Sequence, residues 1–141
     1  MKPIFDVSWR LFRMNKMYLY IVAGLSFFGL ASLSAQTMSL SQGTPEEISL
    51  RENKLVVLKF WMNGCPSCVT QAQPFARVEK EFDAQAIFMN ENIHAHREYI
   101  AKENIQTVPT ILFYKDGKLV GRTGSVGYSA LRNLVVRYGG F

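Results

Sequence analysis

The stretch that decides the fold of this chain is Phe60-Trp61-Met62-Asn63-Gly64-Cys65-Pro66-Ser67-Cys68, which holds the only two cysteines of the sequence. It follows an apolar run, Leu55-Val56-Val57-Leu58, and precedes a segment with helical periodicity. A Cys-x-x-Cys pair at a strand-to-helix junction indicates redox chemistry, because the N-terminus of a helix favours thiolate over thiol. Cys68 then lies about one turn after Cys65, so one sulfur can attack a disulfide and the other can close the ring.

Three other interpretations of the cysteine pair stay open at this point. The pair could form a permanent structural disulfide, as exported domains often do. It could supply half of a zinc site together with His94 and His96, although His-x-His is not the usual ligand spacing. It could also belong to an inactive scaffold, because a motif is a hypothesis until its structural context is known. The redox interpretation is favoured because strand, turn and helix follow in the right order.

The apolar pattern around the pair predicts alternating helices and strands. Thr44 as N-cap, Pro45 at the first helical position and Glu47 in a capping box predict a helix that ends near Asn53. The other expected elements are strands at 55–61, 86–89, 111–114 and 119–123, helices after Cys65, at 94–104 and after Gly127, and a hairpin turn at 115–118. This order predicts an α/β fold with a central mixed β-sheet flanked by helices.

Two of the expected helices show an apolar stripe that should face the core. The helix after Cys65 carries such residues at three- and four-residue spacing, namely Val69, Ala72, Phe75, Val78 and Phe82. The last helix carries Leu131, Leu134, Val135 and Tyr138. His94 and His96 are two residues apart and cannot share a helix face, so we expect them at the surface.

The N-terminal part of the chain predicts the compartment. Residues 17–45 contain no charge, and residues 18–33 are almost wholly apolar, with basic residues before them and small residues at their end. This pattern is typical of a secretory signal peptide. A retained membrane anchor is the alternative, although the apolar core is short for a span of about 20 residues. Translation from Met14 instead of Met1 would give a more typical signal.

We therefore divide the chain into a signal peptide or membrane anchor at 1–35, a linker at 36–43 that can include a short edge strand at 38–40, and a globular domain at 44–141, with cleavage expected near Gln36. Either outcome at the N-terminus leaves the cysteine pair in the periplasm or another extracytoplasmic space, with membrane contact only through residues 1–35 if they stay uncleaved. Of the net charge of +5, +3 lies before residue 36. The small remaining charge gives no sign of a nucleic-acid partner.

Residues 38–138 resemble a thioredoxin-family domain. Four features match in order and spacing: Phe60-Trp61 before Cys65-x-x-Cys68, Val108-Pro109-Thr110 in place of the family's Ile-Pro-Thr, the strand and turn Phe113-Tyr114-Lys115-Asp116-Gly117, and the glycine Gly124 that flanks the active site. The resemblance implies a thioredoxin-like fold and the activity of a thiol–disulfide oxidoreductase. It also implies that the Val108–Pro109 bond is cis and faces the disulfide.

The expected site follows from these residues. Cys65 at the helix start should be the exposed thiol with a low pKa that attacks, and Cys68 should be the buried thiol that resolves the mixed disulfide. By resemblance, Val108, Pro109 and Gly124 should contact an extended substrate segment. Trp61 should add an apolar rim, unless it belongs to the core.

The chain departs from thioredoxins around the pair. Gly64 replaces the family's tryptophan before the first cysteine, and Pro66-Ser67 replaces the Gly-Pro between the cysteines. Lys59 stands where thioredoxins have a buried acidic residue. If Lys59 points toward the pair, its ammonium should stabilise a thiolate and make the couple more oxidising; the alternative is that it reaches solvent along a sheet edge.

The expected partners are protein dithiols or disulfides and a redox-recycling partner, and no metal or organic cofactor is implied. A non-catalytic binding module, with the pair as a permanent clasp and the Pro109 face as a docking surface, is the competing hypothesis. The reduction potential of the Cys65–Cys68 couple decides whether the protein oxidises, reduces or isomerises.

Overall fold

The computed structural model describes residues 38–141, so the expectations for a signal peptide or membrane anchor lie outside the described residues. A short 3-10 turn precedes eight elements: α1 (Pro45–Glu52), β1 (Leu55–Trp61), α2 (Pro66–Phe82), β2 (Ala86–Asn92), α3 (Arg97–Lys102), β3 (Thr110–Lys115), β4 (Lys118–Thr123) and α4 (Tyr128–Gly139). The expected order of elements is confirmed. Among the helices of the described part, none is long and apolar enough to cross a membrane.

The four strands form one mixed sheet in the order β2-β1-β3-β4. β1 pairs with β2 in parallel and with β3 in antiparallel orientation, and β3 pairs with β4 in antiparallel orientation. The predicted mixed sheet is therefore confirmed. Because β1 lies between two strands, the loop that leaves its C-terminal end starts from the interior of the sheet.

Each face of the sheet covers its own apolar cluster, because successive side chains of a strand point to opposite faces. The first cluster packs α2 and α4 against the sheet and includes Leu55, Val57, Phe75, Val78, Phe113, Leu131 and Val135. The second cluster lies on the α1 and α3 side and includes Ile48, Val56, Leu58, Phe60, Leu112 and Tyr114. The alternation along β1 thus assigns Lys59 to the face that α2 covers.

Local signals in the sequence account for α1 and the β3–β4 turn. The Glu47 N–H donates to Thr44 Oγ1 at 3.3 Å and the Thr44 N–H donates to Glu47 Oε2 at 3.1 Å, which completes the predicted capping box. In the hairpin turn, Asp116 and Gly117 have positive φ angles of 51° and 74°. Such a pair suits the twist of a two-residue hairpin.

Two elements differ in length from the expectation. β2 continues through Asn92 instead of ending at residue 89, because its polar end still pairs with β1 through backbone hydrogen bonds. α3 begins only at Arg97. The side chain of His96, just before it, lies 3.2 Å from the carboxylate of buried Glu91. His94 is exposed, as expected, whereas His96 is half-buried.

The expected apolar stripe of α2 was wrong in its first turn. Val69 is 75% exposed and Ala72 is also exposed. The buried residues are instead Cys68, Gln71, Phe75, Val78 and Phe82. The helix is therefore rotated so that the second cysteine, and not the residue after it, faces the protein interior.

Residues 38–43, expected as part of a linker, lie against the sheet. Met38 forms a parallel bridge with Met89 of β2. The Leu40 N–H donates to Glu91 Oε1 at 2.7 Å, and the Met38 and Leu40 side chains pack against the second cluster. This segment is therefore held to β2 by backbone and side-chain contacts.

Candidate active site

The cysteine pair lies where the interior strand β1 gives way to α2. Gly64 has a φ of 72°, a left-handed value that glycine adopts without strain. This turn makes Cys65 the N-cap of α2 and Pro66 its first helical residue, a position where the missing N–H of proline costs nothing. The local sequence thus directs the pair to the positive end of a 17-residue helix.

Cys65 and Cys68 form a disulfide. Their exposed fractions are 7% and 8%, respectively. The disulfide form thus shows no contrast in exposure between the two cysteines, and the expected contrast between the free thiols stays a prediction. What distinguishes the two cysteines is their position, because only Cys65 caps the helix.

Two donors and one carbonyl surround the Cys65 sulfur. The Cys68 N–H donates to Cys65 Sγ at 3.1 Å. The Ser67 Oγ lies 3.3 Å away, and its hydroxyl must be the donor because a disulfide sulfur has no hydrogen. The Val108 carbonyl oxygen is 3.7 Å from the same sulfur. Charge that develops on Cys65 after reduction thus meets two donors already in place.

The residues expected to contact an extended substrate segment, Val108, Pro109 and Gly124, are brought together near Cys65, and the surface that they form is called the substrate groove below. The Val108–Pro109 bond is cis, as predicted. Pro109 is buried and Val108 is half-buried. Gly124 adjoins them, since a Cβ atom at Gly124 would lie 3.7 Å from the Pro109 carbonyl oxygen. Val108 therefore borders the Cys65 sulfur, Pro109 follows it in the chain, and Gly124 adjoins Pro109.

A pocket of about 270 Å³ has Cys68 in its wall. Its lining also includes Lys59, Trp61 and Met62. Trp61 is half-buried, and Met62 is 37% exposed. Trp61 therefore lines the site without belonging to either core cluster, whereas its contact with substrate stays a prediction.

Lys59 is 5% exposed and lines the pocket together with Cys68. Its Nζ atom lies 4.3 Å from the centroid of the Phe75 ring, a distance suited to a cation–π contact. The alternative that Lys59 reaches solvent along a sheet edge is wrong, because β1 is an interior strand. Opposite Lys59 on β2 stands Asn90, which also lines the pocket.

The charge on Lys59 is only partly compensated. Desolvation by burial lowers the pKa of Lys59, and the negative charge of Glu79 on α2 counteracts this shift. Burial likewise raises the pKa of Glu79, and the Lys59 charge opposes that rise. Within residues 38–141, no carboxylate oxygen lies within 4.0 Å of the Lys59 ammonium. Lys59 therefore lies in the wall of the same pocket as Cys68, without an ion-pair partner among the described residues.

Comparison with known proteins agrees with this geometry. The family model described as Thioredoxin matches residues 37–136. The chain belongs to the thioredoxin family. Thioredoxins are disulfide oxidoreductases, and the disulfide-bonded Cys65–Cys68 pair gives this chain the corresponding redox site.

Individual thioredoxins are similar at moderate identity. A thioredoxin H-type of Oryza sativa subsp. indica is 30% identical over 87 residues, which cover 62% of this chain and 70% of that protein. The thioredoxin of Buchnera aphidicola subsp. Baizongia pistaciae is 26% identical over 102 residues, 72% of this chain and 94% of that protein. The X-ray structure of Fasciola hepatica thioredoxin superposes with a TM-score of 0.60 at 27% identity, covering 71% of this chain and 94% of that one.

Two residues of this thioredoxin site were missed in the sequence. Ser67 lies between the cysteines, and a hydroxyl so close in sequence to a sulfur was a signal for the contact now seen. Gln71 lies three residues after Cys68 and is 1% exposed. Its polar character concealed that it continues the buried stripe of α2.

The residues considered for a metal do not assemble. In the part of the chain that the structure describes, no three His, Cys, Asp or Glu side chains are grouped so that they could hold a metal ion. The two cysteines are bonded to each other, and His96 is paired with Glu91.

Proposed function

We propose that this thioredoxin-family protein carries out thiol–disulfide exchange on protein substrates outside the cytoplasm. The observation that carries the proposal is the position of the Cys65–Cys68 disulfide at the N-terminus of α2, where the Cys68 N–H and the Ser67 hydroxyl donate to Cys65 Sγ. A sulfur at a helix N-terminus that also receives hydrogen bonds is stabilised as thiolate, which is the attacking species.

In the reducing direction, Cys65 attacks as thiolate. Its sulfur bonds to one substrate sulfur, the substrate S–S bond breaks, and the second substrate sulfur leaves as a thiolate that takes up a proton. Cys68 then gives up its proton and attacks the Cys65 sulfur. This step closes the ring and releases the first substrate sulfur, so two electrons pass from the dithiol to the substrate.

The cycle needs a partner that restores the starting state. A dithiol donor regenerates a protein that reduces its substrates, and a disulfide acceptor regenerates one that oxidises them. The reduction potential of the Cys65–Cys68 couple decides between these directions.

We infer that Lys59 contributes to that potential. Its ammonium shares a pocket with Cys68, so it favours the thiolate form of the resolving cysteine and thereby the reduced couple. A stabilised reduced form makes a couple more oxidising, and about 30 mV corresponds to about 1.4 kcal/mol. We therefore expect a couple more oxidising than that of a thioredoxin with a carboxylate at this position.

The roles of the two cysteines are tested by trapping. Cys68→Ser should accumulate mixed disulfides with substrate proteins, because the resolving thiol is absent, and Cys65→Ser is the matched control. Both variants are compared by non-reducing electrophoresis and mass spectrometry of the trapped partners. Stronger trapping by Cys65→Ser would reverse the two roles.

The competing hypothesis of a non-catalytic binding module is tested by measuring how readily the Cys65–Cys68 disulfide of the wild-type protein is reduced and whether the protein turns over a disulfide substrate. An exchanging enzyme should be reduced readily by a mild dithiol and should turn over a disulfide substrate. A disulfide that resists reduction and shows no turnover would favour the module. The exposed Met62 and Val69 near the pair would then belong to a docking surface alone.

The extracytoplasmic location is supported by the uncharged, largely apolar segment before residue 45. Mass spectrometry of the protein from its own host should find a mature chain that begins near Gln36. An intact N-terminus in the membrane fraction would instead show a retained anchor. An intact chain in the cytosol would refute the export proposal.

A further inference from the structure

Gln71 is a buried amide in an otherwise apolar stripe of α2. It is only 1% exposed, although glutamine is mostly found at protein surfaces. Because it follows Cys68 by three residues, the two side chains project from the same face of the helix. Its neighbours along the stripe, Phe75 and Val78, belong to the first apolar cluster.

One hydrogen bond fixes the orientation of the Gln71 amide. The Val126 N–H donates to Gln71 Oε1 at 2.6 Å. A backbone N–H can only donate, so the amide must present its oxygen there and its nitrogen elsewhere. That nitrogen, Nε2, is buried and has no hydrogen-bond partner within residues 38–141.

A half-satisfied buried amide is a poor contribution to stability. The bond to Val126 gives a modest gain, whereas the buried N–H group without a partner carries a desolvation penalty of similar or larger size. Methionine has a similar length and would fill the same space without that penalty. Fold stability alone therefore does not account for Gln71.

The hydrogen bond between Val126 and Gln71 joins α2 to one wall of the substrate groove. Val126 belongs to the segment 124–127, which connects β4 to α4, and its side chain packs against the first apolar cluster. At the start of this segment, Gly124 is exposed and adjoins the Pro109 carbonyl. Gln71 thus holds at Val126 the segment whose other end borders the groove.

We propose that Gln71 is a positioning residue for substrate. Its amide fixes the segment 124–127 to α2, so that Gly124 leaves room beside Pro109 for the extended peptide that carries the substrate disulfide. This role presupposes the proposed function, because the peptide must reach Cys65. Gln71 makes no hydrogen bond to either cysteine sulfur in the described structure, so it acts through the groove and not on the reacting atoms.

The test compares Gln71→Met with Gln73→Met, which changes an exposed glutamine of the same helix. Steady-state reduction of a disulfide-containing peptide should show a KM about fivefold higher in Gln71→Met, the equilibrium equivalent of one neutral hydrogen bond. We expect kcat and the reduction potential to stay unchanged, and the Val126 amide to exchange its hydrogen faster. Gln73→Met should match the wild-type protein in all four measurements.

A conservative variant checks that the hydrogen bond is responsible. Gln71→Glu keeps an oxygen that can accept from Val126, so it should restore both the slow exchange of that amide and a KM near the wild-type value. An elevated KM despite restored protection would overturn the proposal. An unchanged KM in Gln71→Met together with fast hydrogen exchange at Val126 would also overturn the proposal. The same holds for a shifted reduction potential in Gln71→Met.

If Gln71→Met fails to fold, the proposal can still be tested by hydrogen exchange in a protein that keeps Gln71. In Cys68→Ser, the mixed disulfide with the peptide should slow hydrogen exchange at Val126 relative to the free protein, because the bound peptide holds the groove wall. Unchanged exchange would overturn the proposal. Failure of the wild-type protein to turn over any disulfide peptide would instead refute the proposed function, which separates the two failures.

Discussion

Ser67 offers the sharpest test of how the site stabilises the attacking sulfur. Its hydroxyl lies 3.3 Å from Cys65 Sγ, and the Cys68 N–H lies 3.1 Å from the same sulfur. Ser67→Ala removes the first donor and leaves the second, because a backbone N–H does not depend on the side chain. The substitution therefore isolates one hydrogen bond to the thiolate.

The expected size follows from that geometry. A hydrogen bond to a charged group contributes about 1.5–3 kcal/mol. Ser67 is exposed, so water replaces part of what the hydroxyl supplied, and the loss should lie near the lower limit. Since about 1.4 kcal/mol corresponds to one pKa unit, Ser67→Ala should raise the pKa of the reduced Cys65 thiol by about one unit.

The assay follows the rate of alkylation of Cys65 as a function of pH. The Ser67→Ala variant and the reference protein with Ser67 both carry Cys68→Ser, which leaves Cys65 as the only thiol of the chain. The matched control is Thr70→Ala, which removes a hydroxyl of the same helix that donates to the Pro66 carbonyl and not to sulfur. A rise of less than about 0.3 pKa units in Ser67→Ala, or an equal rise in Thr70→Ala, would refute the assigned role.

Three further outcomes are expected. Lys59→Met should shift the reduction potential toward more reducing values by about 15–30 mV, whereas the exposed-lysine variant Lys80→Met should not; equal potentials would remove Lys59 from the chemistry. Burial raises the pKa of both Tyr99 and Tyr114, and their mutual hydrogen bond of 2.7 Å raises it further for Tyr99. The free energy of unfolding should therefore fall as pH rises above about 10, where the tyrosines of the unfolded chain ionise. Tyrosinate absorbance from both Tyr99 and Tyr114 in the folded protein at that pH would contradict this prediction. Thr44→Ala should lower the free energy of unfolding by about 1 kcal/mol, measured by urea denaturation, and an unchanged midpoint would show that the cap contributes nothing.

The sequence predicted the sheet because its strands carry their own signals. β1 combines an apolar run with β-branched residues, and the Asp116-Gly117 turn needs residues that tolerate positive φ angles. Such patterns are local, so they can be recognised without knowledge of the fold. The same holds for the Thr44 capping box, whose two hydrogen bonds lie within four residues.

The predicted bounds of β2 and α3 differ from the structure because contacts with residues distant in sequence determine where these elements begin and end. β2 extends through polar residues because backbone pairing with β1 does not require apolar side chains. α3 starts late, and the His96 side chain before it interacts with Glu91 of β2. Neither contact has a counterpart in local periodicity.

The residues of the candidate site were likewise predictable where a motif or a family resemblance marks them, and not where a contact joins residues distant in sequence. Cys65 and Cys68 were identified from motif and spacing, and Val108, Pro109 and Gly124 from the family resemblance. The contact between Gln71 and Val126 joins residues 55 positions apart. No local pattern encodes such a pair, so only the folded structure relates α2 to the segment before α4.

The small size of the disulfide ring has a consequence for the durability of the domain. Its cysteines are separated by only three positions, and a ring of this size restricts the unfolded chain by about 2 kcal/mol, compared with about 4.7 kcal/mol for a loop of about 100 residues. The two apolar clusters on the faces of the sheet consist of other residues. The crosslink is thus a minor restraint on the chain, so the domain should keep its shape whether the sulfurs are joined or free. Repeated opening and closing of the ring then leaves the core intact, and one molecule can serve many rounds of exchange without refolding.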